Sequence, residues 1–428
     1  MNYQETLAYL YASQPAFHIV GAAAYKPGLD NTRRLMQHLG MPHERFRSVH
    51  IAGTNGKGST SHLIAASLQC AGYKVGLYTS PHLVDFRERI RINGEMIPEA
   101  EVVAFVEANK EVLEQIRPSF FETTMAMAFD YFAKQQIDIA VVECGLGGRL
   151  DSTNIITPLL SVITNIGLDH TEFLGNTLAE IAAEKAGIIK PNVPCVIGET
   201  NEETMPVFME KAAQCRIVGE GLETSDCRIW FADQCGYLRK RRLREVPDCQ
   251  LTGIYQEKNM QTAYVALQVL RNHSPLTLST DAIRQGFANV CTLTGLRGRW
   301  EFIGHTPDII CDTGHNAHGI RYVAEQLQSL SSQYATLRII FGMVADKDIA
   351  TVMGLLPKDA VYYFTQPNSH RAFPAERLAT MWGNGKWFAR VEDAVHAAQA
   401  DAAAEDLLFI GGSNYVVGEA LASFPTKS

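Results

Sequence analysis

Short, almost wholly apolar runs alternate along this chain with longer stretches in which small or apolar residues recur every three or four positions. "SVHIA" (48–52) is the first such run, and residues 63, 64, 67, 68 and 71 then follow at the spacing of a helix face. "KVGLYTS" (74–80), "IDIAVVECG" (137–145) and "LLSVITNIG" (159–167) repeat the pattern, the last two ending on glycine. Runs that are apolar at consecutive positions suit strands buried on both faces, as in a parallel sheet. With helical stretches between them, the N-terminal part is predicted to be a doubly wound, mostly parallel α/β sheet.

Around 220–250 the texture changes to short strand-like pieces carrying charges, "CRIWFADQCGYLRKRRLREV", which predicts a small antiparallel appendage. The basic run "RKRRLRE" within it reads as a solvated face rather than an anion site. "LTGLRGRW" (293–300) then precedes a second alternation through "DIICDTG", "LRIIFGM", "AVYYFTQ" and "DLLFIGG". The expected organisation is a domain over 1–294 and a smaller, Rossmann-like α/β domain over 295–428. A chain of 428 residues exceeds what a single core usually holds, so two domains are also the default on length.

Composition narrows the class. Hydrophobic residues make up 46% and charged ones 20%, the balance of a soluble globular protein. A net charge of −8, from 38 Lys+Arg against 46 Asp+Glu, argues against a nucleic-acid partner. No apolar stretch is long enough to span a bilayer, and "MNYQETLAYLYASQPAF" lacks the basic-then-apolar order of a leader. The nine cysteines include no C-x-x-C pair, so a reduced, cytoplasmic protein is expected.

The chemistry starts at "VHIAGTNGKGSTSHLIAASL" (49–68), where a glycine-rich turn lies between a strand and a helix. Such a turn lets backbone N–H groups of Gly53, Thr54, Asn55, Gly56, Gly58 and Ser59 converge on phosphate, with Lys57 reaching its outer oxygens. The usual phosphate loop places a hydroxyl directly after the lysine, but here Gly58 stands there and Ser59 comes one residue late. Ser80 and Glu143 end two of the strand-like runs, and His170 follows a third, the end of an open sheet at which ligands bind.

"HIAGTNGKGST" resembles the phosphate loop of the Mur-ligase superfamily in its folylpolyglutamate synthase/dihydrofolate synthase branch, which has glycine after the lysine. "LYTSPHLVDFRERIRING", "VVECGLGGRLDSTNII", "GLDHTEFLGNTLAEIAAEKAGIIK", "GRWE", "CDTGHNAHG" and "GSNYVVGE" are similar to that family in the same order, over nearly the whole chain. The resemblance implies an ATP-dependent ligase that joins L-glutamate to tetrahydrofolate, and to dihydropteroate as well, through an acyl phosphate. It also implies two Mg²⁺ sites, with Ser80 and Glu143 at the first and His170 at the second. Lys185 in "AAEKAGIIK" is similar to the lysine that this family carbamylates, and Asn259, Arg299 and Asp312 to residues that reach ATP. Phe121, Glu122, Thr123, Thr124, Leu150, Asp151 and Ser152 correspond to the segments lining the pterin end, and Leu29 and Asp30 to a loop that completes it. A flat heterocycle needs such an apolar face with a few polar groups at its edge. His315 and His318 are assigned either to the incoming glutamate or to the capping of a helix opened by Asn316.

One position departs from the family, Tyr255 standing where histidine usually precedes the glutamine of "LTGIYQEKNM". The alternatives are a Mur-type ligase for another carboxylate and a phosphate-loop NTPase that is not a ligase. A cell-wall Mur ligase carries a UDP-sugar domain ahead of its phosphate loop, and the 52 residues before Gly53 are too few for one. The protein is expected to work as a monomer on small molecules alone.

Overall fold

The computed structural model describes residues 1–14, 28–215, 228–233, 247–383 and 385–424. The first sheet is formed by β1 (Arg47–Ala52), β2 (Val75–Tyr78), β3 (Ile90–Ile92), β4 (Glu95–Met96), β5 (Ile139–Glu143), β6 (Leu160–Ile163), β7 (Cys195–Ile197) and β8 (Ile229–Phe231). Their spatial order is β4-β3-β2-β5-β1-β6-β7-β8, parallel except for β3, which runs antiparallel to both its neighbours. The second sheet contains β9 (Glu301–Gly304), β10 (Asp308–Asp312), β11 (Leu337–Phe341), β12 (Val361–Thr365), β13 (Lys386–Phe388) and β14 (Leu407–Gly411). It has the order β13-β12-β11-β14-β10-β9, with β9 its antiparallel edge. All eight strand-like apolar runs therefore form strands, seven of them completely buried apart from an end residue or wholly so.

The continuous apolar runs have their predicted physical cause. Val49, Ile51 and Val141 pack on Leu63, Ile64 and Leu68 of the helix Lys57–Cys70. The alternate residues Ala140 and Val142 pack on Phe129 and Phe132 of the helix Phe120–Lys134. Each strand thus supplies both faces, and the helix behind the phosphate loop is buried along its length. Gly286 lets the helix Thr280–Ala288 approach it, since a methyl there would lie 2.5 Å from the Ser67 backbone.

β1 lies at the centre, with β5 on one side (Val49 opposite Val141) and β6 on the other (Val49 opposite Leu160). The chain leaves β1 for β2, returns to β5, and only then crosses to β6 and β7, so the connections diverge at β1. The carboxyl ends of β1, β5 and β6 at this divergence are where an open α/β sheet binds ligands.

The antiparallel part lies elsewhere than the charged texture of 220–250 suggested. Ile229–Phe231 pairs parallel with β7, and the antiparallel strands β3 and β4 border β2 at the opposite edge. Residues 216–227 and 234–246, "RKRRLRE" included, lie outside the described residues. Among the described residues no helix is long and apolar enough to cross a membrane, and Cys144 and Cys311 are buried free thiols.

Candidate active site

The loop Gly53–Gly56 is held by the end of β6 and the residues after it. Thr54 N donates to Asn165 O (2.9 Å), Asn55 N to Asn165 Oδ1 (2.9 Å), and Thr164 Oγ1 to Asn55 O (2.6 Å). Gly53 and Gly56 have φ of +149° and +80°, and a methyl would strike Thr164 Oγ1 at the first and Asn259 Oδ1 at the second. Both are glycines by necessity. Gly58 is not: its backbone is helical, and a methyl would meet Arg299 Nη2 at 3.6 Å and Glu143 Oε2 at 3.9 Å. Gly56→Ala is therefore expected to weaken nucleotide binding about tenfold or more and lower the melting temperature, through strain of roughly 1–2 kcal/mol. Gly58→Ser is expected to keep the melting temperature within about 2 °C. Calorimetry and a nucleotide titration on both variants check the contrast, and an equal melting loss would overturn it.

Lys57 Nζ donates to Gly53 O (3.1 Å) and Thr54 O (3.2 Å), and Lys185 Nζ to the same Gly53 carbonyl (2.9 Å). Lys185 sits on the helix Leu178–Ala186 and is buried. Burial, with Lys57 beside it, lowers its amine to about 7. Glu143 ends β5, is 4% exposed, and accepts from Ser80 N (3.3 Å). Burial pushes its carboxyl up, against the pull of Lys57 and Arg299. His170 has a left-handed backbone (φ +51°) at the start of a short helix. Burial lowers it to about 4, so the imidazole is neutral near pH 7. Among the described residues no three His, Cys, Asp or Glu side chains converge to cage a metal.

A polar seam joins the two sheets across this site. Asp169 Oδ1 binds Lys347 Nζ (2.6 Å), and Asp169 Oδ2 accepts from Asn316 Nδ2 (3.1 Å) with His315 Nε2 3.8 Å away. Burial works to raise its carboxyl, but His315 and Lys347 hold it far below the usual range. Asn55 of the phosphate loop meets Asn316 (3.0 Å) and His318 Nδ1 (3.0 Å). Asp312, at the end of β10, accepts from Tyr255 Oη, from Trp300 N (2.8 Å) and from Gly314 N (2.7 Å). The tyrosine that departs from the family pattern thus donates across the seam to a predicted nucleotide contact. Arg299 donates to Thr313 Oγ1 and to Gly298 O (3.2 Å), and Asn259 Nδ2 to Gln256 Oε1 (2.8 Å).

Two cavities meet at Thr54, Lys57, Ser80 and His315. One, of about 150 Å³, takes in Gly56, Gly58, Ser59, Glu143, Asn259, Arg299, Asp312 and His318. The other, of about 270 Å³, runs past Lys185 and His170 to Phe121, Leu146, Leu150, Asp151, Ser152 and Leu174. The predicted metal and nucleotide residues, with Phe121, Leu150, Asp151 and Ser152 of the predicted heterocycle set, therefore line two adjoining cavities.

Several predicted residues stand apart from those cavities or are already engaged. Asp151 gives Oδ2 to the amides of Gly145 and Leu146 (both 2.8 Å) and Oδ1 to Thr153, so it shapes the turn after β5. Glu122 is buried, capping its own helix with Ser119 and accepting from Thr32 Oγ1 (3.1 Å). Thr124 hydrogen-bonds Tyr78 Oη (3.1 Å), and Thr123 is buried. Leu29 and Asp30 open the helix Asp30–His38 and do not line either cavity among the described residues. His318 faces the smaller cavity alone, whereas His315 reaches both. Asp169, Lys347, Arg89, Arg371 and Tyr415 also line the larger cavity; Arg89, Asp169 and Tyr415 lie within the blocks that resemble the family but are not singled out there, and Lys347 and Arg371 lie outside those blocks.

The Mur ligase middle domain family model matches residues 51–262, and that for the Mur ligase, glutamate ligase domain matches residues 298–414. The chain is thus an ATP-dependent ligase of the Mur type. It is 34% identical over 412 residues to the dihydrofolate synthase/folylpolyglutamate synthase of Bacillus subtilis, covering 92% of this chain and 94% of that protein. It is 34% identical over 439 residues, 98% of its length, to a probable bifunctional folylpolyglutamate synthase/dihydropteroate synthase of Haloferax volcanii, but spans only 50% of that relative. Escherichia coli FolC, solved in complex with DHPP and ADP, superposes with a TM-score of 0.82 at 29% identity, covering 99% of this chain and 97% of that one. The chain belongs to the folylpolyglutamate synthase/dihydrofolate synthase family.

Proposed function

We propose that the protein adds L-glutamate to tetrahydrofolate and to 7,8-dihydropteroate, each time through an acyl phosphate. One observation carries this reading: the cleft at Lys57 and Ser80 opens directly into a cavity walled by Phe121 and Leu150. Its volume of about 270 Å³ approaches the range typical of small-molecule sites. In the first step the substrate carboxylate attacks the γ-phosphorus of ATP, the bond to the bridging oxygen breaks, and ADP leaves. In the second the glutamate amine attacks the acyl carbon, loses a proton, and inorganic phosphate departs. Lys57 and Arg299 both line the smaller cavity and would neutralise the charge of phosphates held there. Phe121 and Leu150 hold the heterocycle, Asp312 and Asn259 the nucleoside, and His315 the incoming glutamate.

Mg²⁺ prefers few oxygen ligands and keeps several waters, so a site without a protein cage suits it. Ser80 and Glu143 fit one ion, with the Ser80 hydroxyl replacing the one missing at Gly58. His170, with a carbamate on Lys185, fits a second. Bound Mg²⁺ supplies charge neutralisation on the phosphate oxygens. The division into units over 1–294 and 295–428 is consistent with the two matched regions, and the unit boundary belongs to this proposal. So do a reducing cytoplasmic setting and action as a monomer.

ADP release should require glutamate together with either dihydropteroate or tetrahydrofolate. Release with neither would favour an NTPase, and release with glutamate and another acid alone would favour a different Mur-type ligase. Extension of tetrahydrofolate without formation of dihydrofolate would remove the dual activity.

A further inference from the structure

Arg89 is a buried cation that the mechanism above leaves unused. It ends a 3-10 turn leading into β3, is 4% exposed, and its backbone carbonyl is fixed by Thr79 N (3.1 Å). Nε donates to His82 Nδ1 (2.7 Å), and the guanidinium carbon lies 5.3 Å from the centre of the Phe120 ring. Its remaining N–H groups meet no protein acceptor among the described residues. The neighbouring acid offers none, since Glu88 accepts from the amides of Leu83 (2.8 Å), Val84 (3.0 Å) and Asp85 (2.8 Å). Arg89 nevertheless lines the larger cavity beside Ser80 and Phe120. A guanidinium held in a site this dry calls for an anion, and its fork matches a carboxylate in two parallel hydrogen bonds.

Which carboxylate follows from the wall on which Arg89 stands. It directly precedes β3 of the first sheet, lines the same cavity as Phe120 and Phe121, and is close enough to Glu143 to lower that acid electrostatically. It therefore sits between the heterocycle pocket and the phosphoryl-transfer end. A folate ends in a glutamyl residue whose γ-carboxylate is activated there while its α-carboxylate, set apart from it by the α, β and γ carbons, still needs a cation. Dihydropteroate has a single carboxylate, the one that reacts. Resting on the ligase reading above, we propose that Arg89 determines specificity by holding the α-carboxylate of the terminal glutamyl residue of folate substrates.

The test compares wild type, Arg89→Gln and Arg89→Lys in both reactions, with folding checked by circular dichroism. A tetrahydrofolate analogue whose terminal glutamate is replaced by γ-aminobutyrate is assayed alongside. For Arg89→Gln, kcat/KM for tetrahydrofolate should fall about 100-fold or more, as for loss of a buried charged partner. For dihydropteroate it should stay within about fivefold, and Arg89→Lys should fall between. Wild type should use the analogue about as poorly as the glutamine variant uses tetrahydrofolate, and the variant should barely distinguish the two. Equal losses in both reactions would overturn the proposal, as would a raised KM for glutamate in both, which would put the incoming amino acid on Arg89. If wild type lacks dihydropteroate activity, the dual reading falls, and the analogue comparison alone decides the role of Arg89. A glutamine variant that does not fold leaves the same comparison to the lysine variant.

Discussion

Lys57→Ala and Glu143→Ala are each expected to lower turnover by about 100- to 1,000-fold or more while the protein stays folded. Lys57 stands at the start of the helix behind the phosphate loop, and on the proposed reading its ammonium would oppose charge developing on the transferring phosphoryl group. Among the described residues it donates to the carbonyls of Gly53 and Thr54. Losing hydrogen bonds of this kind costs about 1 kcal/mol each, too little to unfold the chain. Glu143 is a buried carboxylate whose burial already disfavours its charge, so alanine there relieves that cost even as it removes the candidate Mg²⁺ ligand. Initial rates of ADP release and thermal unfolding on the same preparations separate the two effects. Activity within about tenfold of wild type for either variant would overturn its assignment.

The second large effect is expected at Lys185, where alanine should remove most activity and short carboxylic acids should partly restore it. Its amine, lowered to about 7 by burial and by Lys57, is largely neutral at pH 8. A neutral amine reacts with CO₂, and the carbamate formed is an anion. Two like charges 4 Å apart repel by roughly 4 kcal/mol at an effective dielectric near 20, and carbamylation turns the repulsion toward Lys57 into attraction. The reactive form is lost as pH falls through about 7, so dependence on added bicarbonate should be greater at pH 6 than at pH 8. For the unmodified protein the depressed amine means the unfolded chain binds more protons between about 7 and 10.5, so stability rises with pH across that window. A carbamate carbon resonance after labelling with ¹³CO₂, absent from Lys185→Ala, would identify the modification. A fully active alanine variant would make Lys185 an ordinary buried helix residue.

The strands and the phosphate loop were legible because their causes are local. A strand buried on both faces must be apolar at consecutive positions, as Ile139–Glu143 and Leu407–Gly411 are. Gly53 and Gly56 announce positive φ at fixed offsets from Lys57, and the ordered family blocks pointed to a glutamate ligase. Strands of three residues such as Cys195–Ile197, and the parallel setting of Ile229–Phe231, carry too few positions for a period to show.

What only the tertiary structure decided is which distant residues meet. Gly56 is a glycine partly because Asn259, some two hundred positions later, packs against it. Asp151 lines the larger cavity, and the turn after β5 also brings the amides of Gly145 and Leu146 to one of its oxygens. Asp169 and Lys347 pair across the two sheets, and Tyr255 donates to Asp312 across the same seam. Burial then gives these groups their chemistry, setting the Lys185 amine near 7 and enclosing Arg89, which pairs with no carboxylate among the described residues. The sequence determined each element because propensity and period act within a few residues. The partners and the dielectric around each side chain depend on strand order and on the docking of two sheets, which no local pattern encodes.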